Sequence, residues 1–130
     1  MKRIFFILSA IYVSTCLLTD PLSAQSYHRI SENTLKLEQG KTRVVQGYVR
    51  DGEEVLYRFK ARAGQSVTVK IVGQDADFSV YLNHGLDAER VAQETKSWSG
   101  KMPPEFDGDC EIAVHSNYKV AAYSLDILLK

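Results

Sequence analysis

The chain has 130 residues, 45% of them apolar and 10% aromatic, enough to bury one core of ordinary size. Its 16 Lys and Arg are matched by 16 Asp and Glu, which excludes the basic excess of a nucleic-acid or anionic-membrane binder.

The N-terminus reads as an export leader. Met1-Lys2-Arg3 places positive charge ahead of an apolar run from Ile4 to Leu18, and Asp20-Pro21 breaks that run before the cleavage-site residues Leu22-Ser23-Ala24. This order describes a secretory signal over residues 1–24, leaving residues 25–130 as a single domain in the periplasm. The run is shorter than the about 20 residues that span a bilayer. Val13-Ser14-Thr15-Cys16 offers a second route, lipidation at Cys16, although Thr15 stands where a smaller residue is usual. Residues 25–33 are polar and read as a loose lead-in.

Strands follow. Thr42 to Val49 is rich in Val, Thr and Tyr. Val55, Tyr57, Phe59 and Ala61 alternate with polar or solvent-facing residues, as do Val67, Val69 and Ile71, with Ala63-Gly64-Gln65 as the turn between them. The same period of two recurs at Phe78, Val80 and Leu82, at Cys110, Ile112 and Val114, and at Tyr123, Leu125, Ile127 and Leu129. Asp87 to Lys96 reads as irregular chain or an edge strand. Leu56 and Leu128 fall out of phase with their inward sets, and their exposure would offer a homodimer face. Tyr48 and Tyr81 are out of phase too and are candidate exposed aromatics. Short strands separated by Gly-bearing turns predict an all-β fold, an antiparallel β-sandwich of jelly-roll-like order with about eight strands.

No catalytic constellation accompanies this pattern. His28, His84 and His115 lie far apart, and the sequence holds no nucleophile elbow, metal-binding spacing or phosphate loop. The expectation is a protein that is not an enzyme and takes no cofactor or metal. Asp75 with Asp77 and Asp107 with Asp109 would suit Ca²⁺ if their loops were adjacent, but acidic residues are equally ordinary turn formers. Cys110 is in phase with Ile112 and Val114 and reads as a buried, inert thiol.

Several segments carry a recognisable pattern: Gly47; Glu53-Glu54; Tyr57-Arg58-Phe59; Ala61-Arg62-Ala63-Gly64-Gln65; Val67-Thr68-Val69; Trp98-Ser99-Gly100-Lys101-Met102-Pro103; Gly108 to Val114; and Tyr123-Ser124-Leu125. The pattern resembles the bacterial pre-peptidase C-terminal domain, a small β-sandwich. As a free-standing exported chain with a leading strand at Thr34 to Glu38, it also resembles the periplasmic inhibitors of goose-type lysozyme. In these terms Trp98 caps one end of the sandwich. The resemblance implies recognition of a lysozyme or other cell-wall hydrolase, as a monomer or a homodimer. It also implies that a Ser-Gly-x-Tyr loop meets the enzyme cleft. The matching residues here are Asp107-Gly108-Asp109-Cys110, so only the glycine is kept. The last hairpin loop, where the family tends to carry arginines, is His115-Ser116-Asn117-Tyr118-Lys119.

The stretch from Pro103 to Asp109 adds its own signal. Pro103-Pro104 stiffens the backbone, and Phe106 stands between Glu105 and Asp107. Two readings of Phe106 stay open, an exposed anchor for a partner or a lid folded onto the sandwich end. The partner-binding candidates are Glu105, Phe106, Asp107, Gly108 and Asp109 in this loop, with His115, Asn117, Tyr118 and Lys119 in the last hairpin. The alternative function is a non-catalytic envelope module recognising glycan or another protein.

Overall fold

The computed structural model describes residues 29–130. The leader, Cys16 and His28 lie outside them. Nine strands form among the described residues: β1 (Arg29–Thr34), β2 (Thr42–Arg50), β3 (Glu53–Arg62), β4 (Ser66–Val72), β5 (Ala76–His84), β6 (Asp87–Thr95), β7 (Ser97–Lys101), β8 (Asp107–Ser116) and β9 (Val120–Leu129). They build two sheets, one ordered β1-β3-β8-β5-β6 and the other β2-β9-β4-β7. The sheets face each other as a β-sandwich, and every pairing is antiparallel except that of β1 with β3.

The alternating residues meet between the sheets. Phe59, Phe78, Ile112, Leu125 and Ile127 are fully buried, with Val49, Val67, Val69, Val80, Val114 and Cys110 around them. Because the side-chain period of a strand is two, one inward residue sets the facing of its whole strand. Burial of these side chains drives the sheets together, at about 1.5–3 kcal/mol for each large apolar group. Gly64, at φ 82°, adopts the left-handed conformation that the tight β3–β4 turn requires. A buried polar link joins the layers, since the hydroxyls of Tyr57 on β3 and Tyr123 on β9 lie 2.6 Å apart. Burial and that hydrogen bond push the Tyr123 phenol above its ordinary value.

The structure corrects several expectations. The lead-in is ordered from Arg29 as β1, and the leading strand stops at Thr34 rather than running to Glu38. Leu35 N–H makes the last bond of the β1–β3 ladder, to the Arg58 carbonyl (2.8 Å), and its side chain is buried where those of β1 are exposed. All six residues of β1 are exposed, so no apolar face marked it in the sequence. Asp87–Thr95 is an edge strand, and Ser97–Lys101 adds one more. Trp98 is only partly buried against the core. Leu56, Leu128 and Tyr81 are half-covered on the outer faces, whereas Tyr48 is 73% exposed. Leu56 and Leu128 therefore do not form the open apolar face expected of them.

Polar rows knit the outer face of the five-stranded sheet. Arg58 binds Glu32 of β1 (3.3 Å) and Glu111 of β8 (2.8 Å), and Glu111 accepts from Asn83 of β5 (3.3 Å). The Glu111 hydrogen bond raises the Arg58 pKa and keeps its charge fixed. Between β6 and β7, Lys96 reaches back to donate to the carbonyls of Gly73, Gln74 and Ala76, closing the β4–β5 turn.

Replacing the fully buried Phe78 tests the core directly. Phe78→Ala should cost about 3–5 kcal/mol, lowering the urea midpoint at unchanged denaturant slope. A cost below about 1 kcal/mol would mean that the two sheets do not close over this ring.

Candidate functional site

One end of the sandwich is built around the segment joining β7 to β8. Met102, Pro103, Pro104, Glu105 and Phe106 span it, and Phe106 N–H donates to the Pro103 carbonyl (3.1 Å) across a tight turn. Glu105 occupies the third position of that turn at φ 64°, a left-handed conformation normally left to Gly or Asn. Proline at the second position presets the turn, so the exposed carboxylate of Glu105 is held at its tip.

The segment is fastened on two sides. Toward the β3–β4 turn, Met102 N–H donates to Gln65 O (2.8 Å), Gly64 N–H to Met102 O (3.3 Å) and Ala63 N–H to Phe106 O (3.1 Å). Toward the β5–β6 hairpin, Asp107 N–H donates to His84 Nδ1 (3.3 Å), and the Phe106 ring lies 5.6 Å from the His84 ring at a 33° tilt. Met102 is buried beneath. Phe106 is 5% exposed, so it is the lid of the two readings, and it supports the loop from within instead of projecting as an anchor.

Between this loop and the hairpin lies a shallow cavity of about 240 Å³, lined by Leu82, His84, Asp87, Glu89, Pro103, Pro104 and Phe106. The exposed carboxylates Asp87 and Glu89 line it, exposed Glu105 and Asp107 flank Phe106 in the chain, and Leu86 stands fully exposed at the hairpin tip. The sequence reading missed His84, Leu86, Asp87 and Glu89. Nothing in their spacing links them to Pro103, and only the β5–β8 pairing brings the two segments together.

The other candidates fall elsewhere. Asp107-Gly108-Asp109-Cys110 is not a free loop but the first four residues of β8, paired with Arg62 to Phe59 of β3. Gly108 is needed for close approach, since a Cβ there would lie 2.0 Å from the Asn83 carbonyl oxygen. Asp109 leans toward Lys60 at 3.8 Å. His115, Asn117, Tyr118 and Lys119 lie at the opposite end, because β8 is ten residues long and spans about 30 Å. There His115 Nε2 meets Glu54 at 2.7 Å, and Asn117 donates to the buried Asp77 carboxylate at 2.9 Å. Tyr118 and Lys119 are exposed. The two candidate groups thus form two separate poles. The same geometry separates Asp75 and Asp77 from Asp107 and Asp109, so these pairs do not come from adjacent loops. Among the described residues, no group of three or more His, Cys, Asp or Glu side chains is arranged to hold a metal ion.

Comparison with known proteins places the fold. No protein-family model matches the chain, and no curated protein does. Solved structures do. The chain is similar to Aeromonas hydrophila PliG, a periplasmic lysozyme inhibitor of g-type lysozyme, with a TM-score of 0.67 and 23% identity over 79% of this chain and 99% of that one. For Salmonella Typhimurium PliG, a periplasmic inhibitor of g-type lysozyme as well, the values are 0.59 and 20%, over 77% and 98%. A more distant neighbour, at 0.48 and 9% over 77% and 95%, is the pre-peptidase C-terminal domain of a Bacillus anthracis collagenase. The fold anticipated from the sequence resemblance is therefore the fold observed, a β-sandwich shared with the PliG proteins.

Cys110 completes the site inventory. It is fully buried, and burial, with smaller contributions from Glu111 and Asp109, pushes its thiol from 9.0 up to about 12. The stability this protonated thiol contributes is present below pH 9.0 and is lost as pH climbs toward about 12. Iodoacetamide at pH 8 should label Cys110 only after denaturant is added, as read by peptide mass spectrometry. Rapid labelling of the native protein would contradict its burial.

Proposed function

We propose that this chain is an exported, non-catalytic inhibitor of lysozyme that acts in the periplasm, with goose-type enzyme the favoured target. The observation that carries this reading is the stiff, acid-rimmed pole formed by the Pro103–Asp107 segment and the β5–β6 hairpin. Likeness of fold to the PliG structures supports it, and so does the absence of a catalytic motif in the sequence.

The mechanism follows from the pole's chemistry. A turn preset by proline and hydrogen-bonded on both sides loses little entropy on docking. Lysozymes are commonly basic, so Asp87, Glu89, Glu105 and Asp107 steer the encounter and orient it. Leu86 and the Pro103-Pro104 rings offer apolar contact at the centre, the part of an interface where binding energy concentrates. Phe106 serves as the prop that fixes the loop, and His115 to Lys119, about 30 Å away, take no part in the same contact.

Purified protein mixed with goose-, chicken- and invertebrate-type lysozymes should slow lysis of cell-wall suspensions by at least one of them. Glu105→Lys combined with Asp87→Lys should lower the association rate about tenfold at low salt, and less at high salt. Tyr118→Ala should leave inhibition unchanged. Failure of every lysozyme to respond at stoichiometric excess would end the inhibitor reading. Loss of inhibition with Tyr118→Ala would move the contact to the other pole.

A further inference from the structure

A second concavity lies along the opposite edge of the sandwich, where the two sheets do not overlap. Strand β1 extends the five-stranded sheet beyond β2, the edge of the other sheet. Its inward-facing residues are set by register with the inward face of β3: Arg29 beside Glu53, Ser31 beside Val55, Asn33 beside Tyr57. A strand facing a closed core would carry apolar residues there. These are polar and exposed, because nothing covers them. They form one wall of a groove of about 370 Å³, with Gly47 and Tyr48 of β2 as the other wall and the Tyr57 and Tyr123 hydroxyls at its floor.

We propose that this groove binds a neutral saccharide chain. Three features select that class. First, the charges at the groove are already engaged: Arg29 lies 3.6 Å from Glu53, Glu53 also accepts the Arg50 N–H at 3.1 Å, and Glu54 is held by His115 at 2.7 Å. Among the described residues lining the groove, each charged side chain thus has a partner of its own. Second, the unengaged polar groups are short and of both kinds. Ser31 offers a hydroxyl, Asn33 keeps its amide oxygen while its Nδ2 donates to Leu56 O (3.3 Å), and the paired phenols retain further acceptor capacity. Sugar hydroxyls need this mixture of donors and acceptors. Third, Tyr48 is 73% exposed at the rim of the groove, its ring leaving the edge strand β2 on the face opposite to Gly47. An exposed aromatic with a polar tip suits the apolar C–H face of a sugar ring while its hydroxyl stays wet.

Gly47 keeps the groove open. A Cβ at this position would lie 2.9 Å from the Tyr123 hydroxyl oxygen and 3.2 Å from the carbon that bears it, filling the floor. Gly47, Tyr48 and Tyr123 also border a concavity on the outer face of the four-stranded sheet, with Gln46, Ala122, Ser124 and Val72. This surface lies away from the acidic pole and is independent of the inhibitor reading.

The test is a titration of ¹⁵N-labelled protein with chitohexaose, cellohexaose, maltohexaose and xylohexaose, followed by amide shifts. At least one should produce saturable shifts at Ser31, Asn33, Gly47 and Tyr48. Tyr48→Ala, at an exposed site that leaves the fold intact, should weaken that binding about tenfold. Ser31→Trp, which occupies the groove from its exposed wall, should abolish it. Lysozyme inhibition should be unaffected by either change. Absence of shifts with all four sugars up to about 10 mM would overturn the proposal. Shifts that map elsewhere, or binding indifferent to Tyr48→Ala, would overturn it equally.

Discussion

Strand β8 is the constraint on which the rest of the molecule depends. It is hydrogen-bonded along both edges, to β3 on one side and β5 on the other, for nearly its whole length. Cys110, Ile112 and Val114 point inward from it and are fully buried. A strand paired on both sides and packed on one face cannot slip by a residue without turning that set to solvent. Its length is thereby fixed, and with it the distance between the two ends of the sandwich.

That separation gives the two poles different characters. At one, Asp87 and Glu89 line a cavity whose loop, bearing exposed Glu105 and Asp107, is tied to neighbouring turns by backbone hydrogen bonds. At the other, acidic groups are matched within the fold: Glu54 by His115, Asp77 by Asn117, Glu53 by Arg29. An acidic rim with few internal partners projects its field outward, whereas paired charges cancel locally. The Pro103 end is therefore the more acidic surface of the two. Glu105, held at positive φ, shows the same bias on a smaller scale, because a carboxylate stands where Gly would strain the backbone less.

The edges contrast as well. Lys96 closes one turn by donating to three carbonyls, and Arg58 links three strands across the outer face of its sheet. The overhang of β1 past β2 leaves a polar inner face with no sheet opposite it. Such an overhang costs little, since its backbone groups on one side pair with β3 and those on the other reach water.

Much of the sandwich was legible in the residues themselves. Phe59, Ile112 and Ile127 sit in period-two sets whose facing depends only on strand geometry, and the structure buries each as that phase requires. The separation of His115 from Asp107 was implicit in the same pattern, since an extended β8 between them cannot bring its ends together. Other features left no local trace. Strand β1 is exposed on both faces, so no alternation marks it. Phe106 between two acidic residues is compatible with burial or exposure, and the rings and turns it meets lie 20 or more residues away, at His84 and beyond. By itself, then, the sequence determined the strands with one apolar face and the inward facing of the Cys110 thiol, because these follow from chemistry within a few residues. Only the tertiary structure decided which loops share a pole, whether Phe106 is prop or anchor, and where the sheets fail to overlap. Those outcomes depend on strand order and pairing between distant segments, which no local spacing encodes.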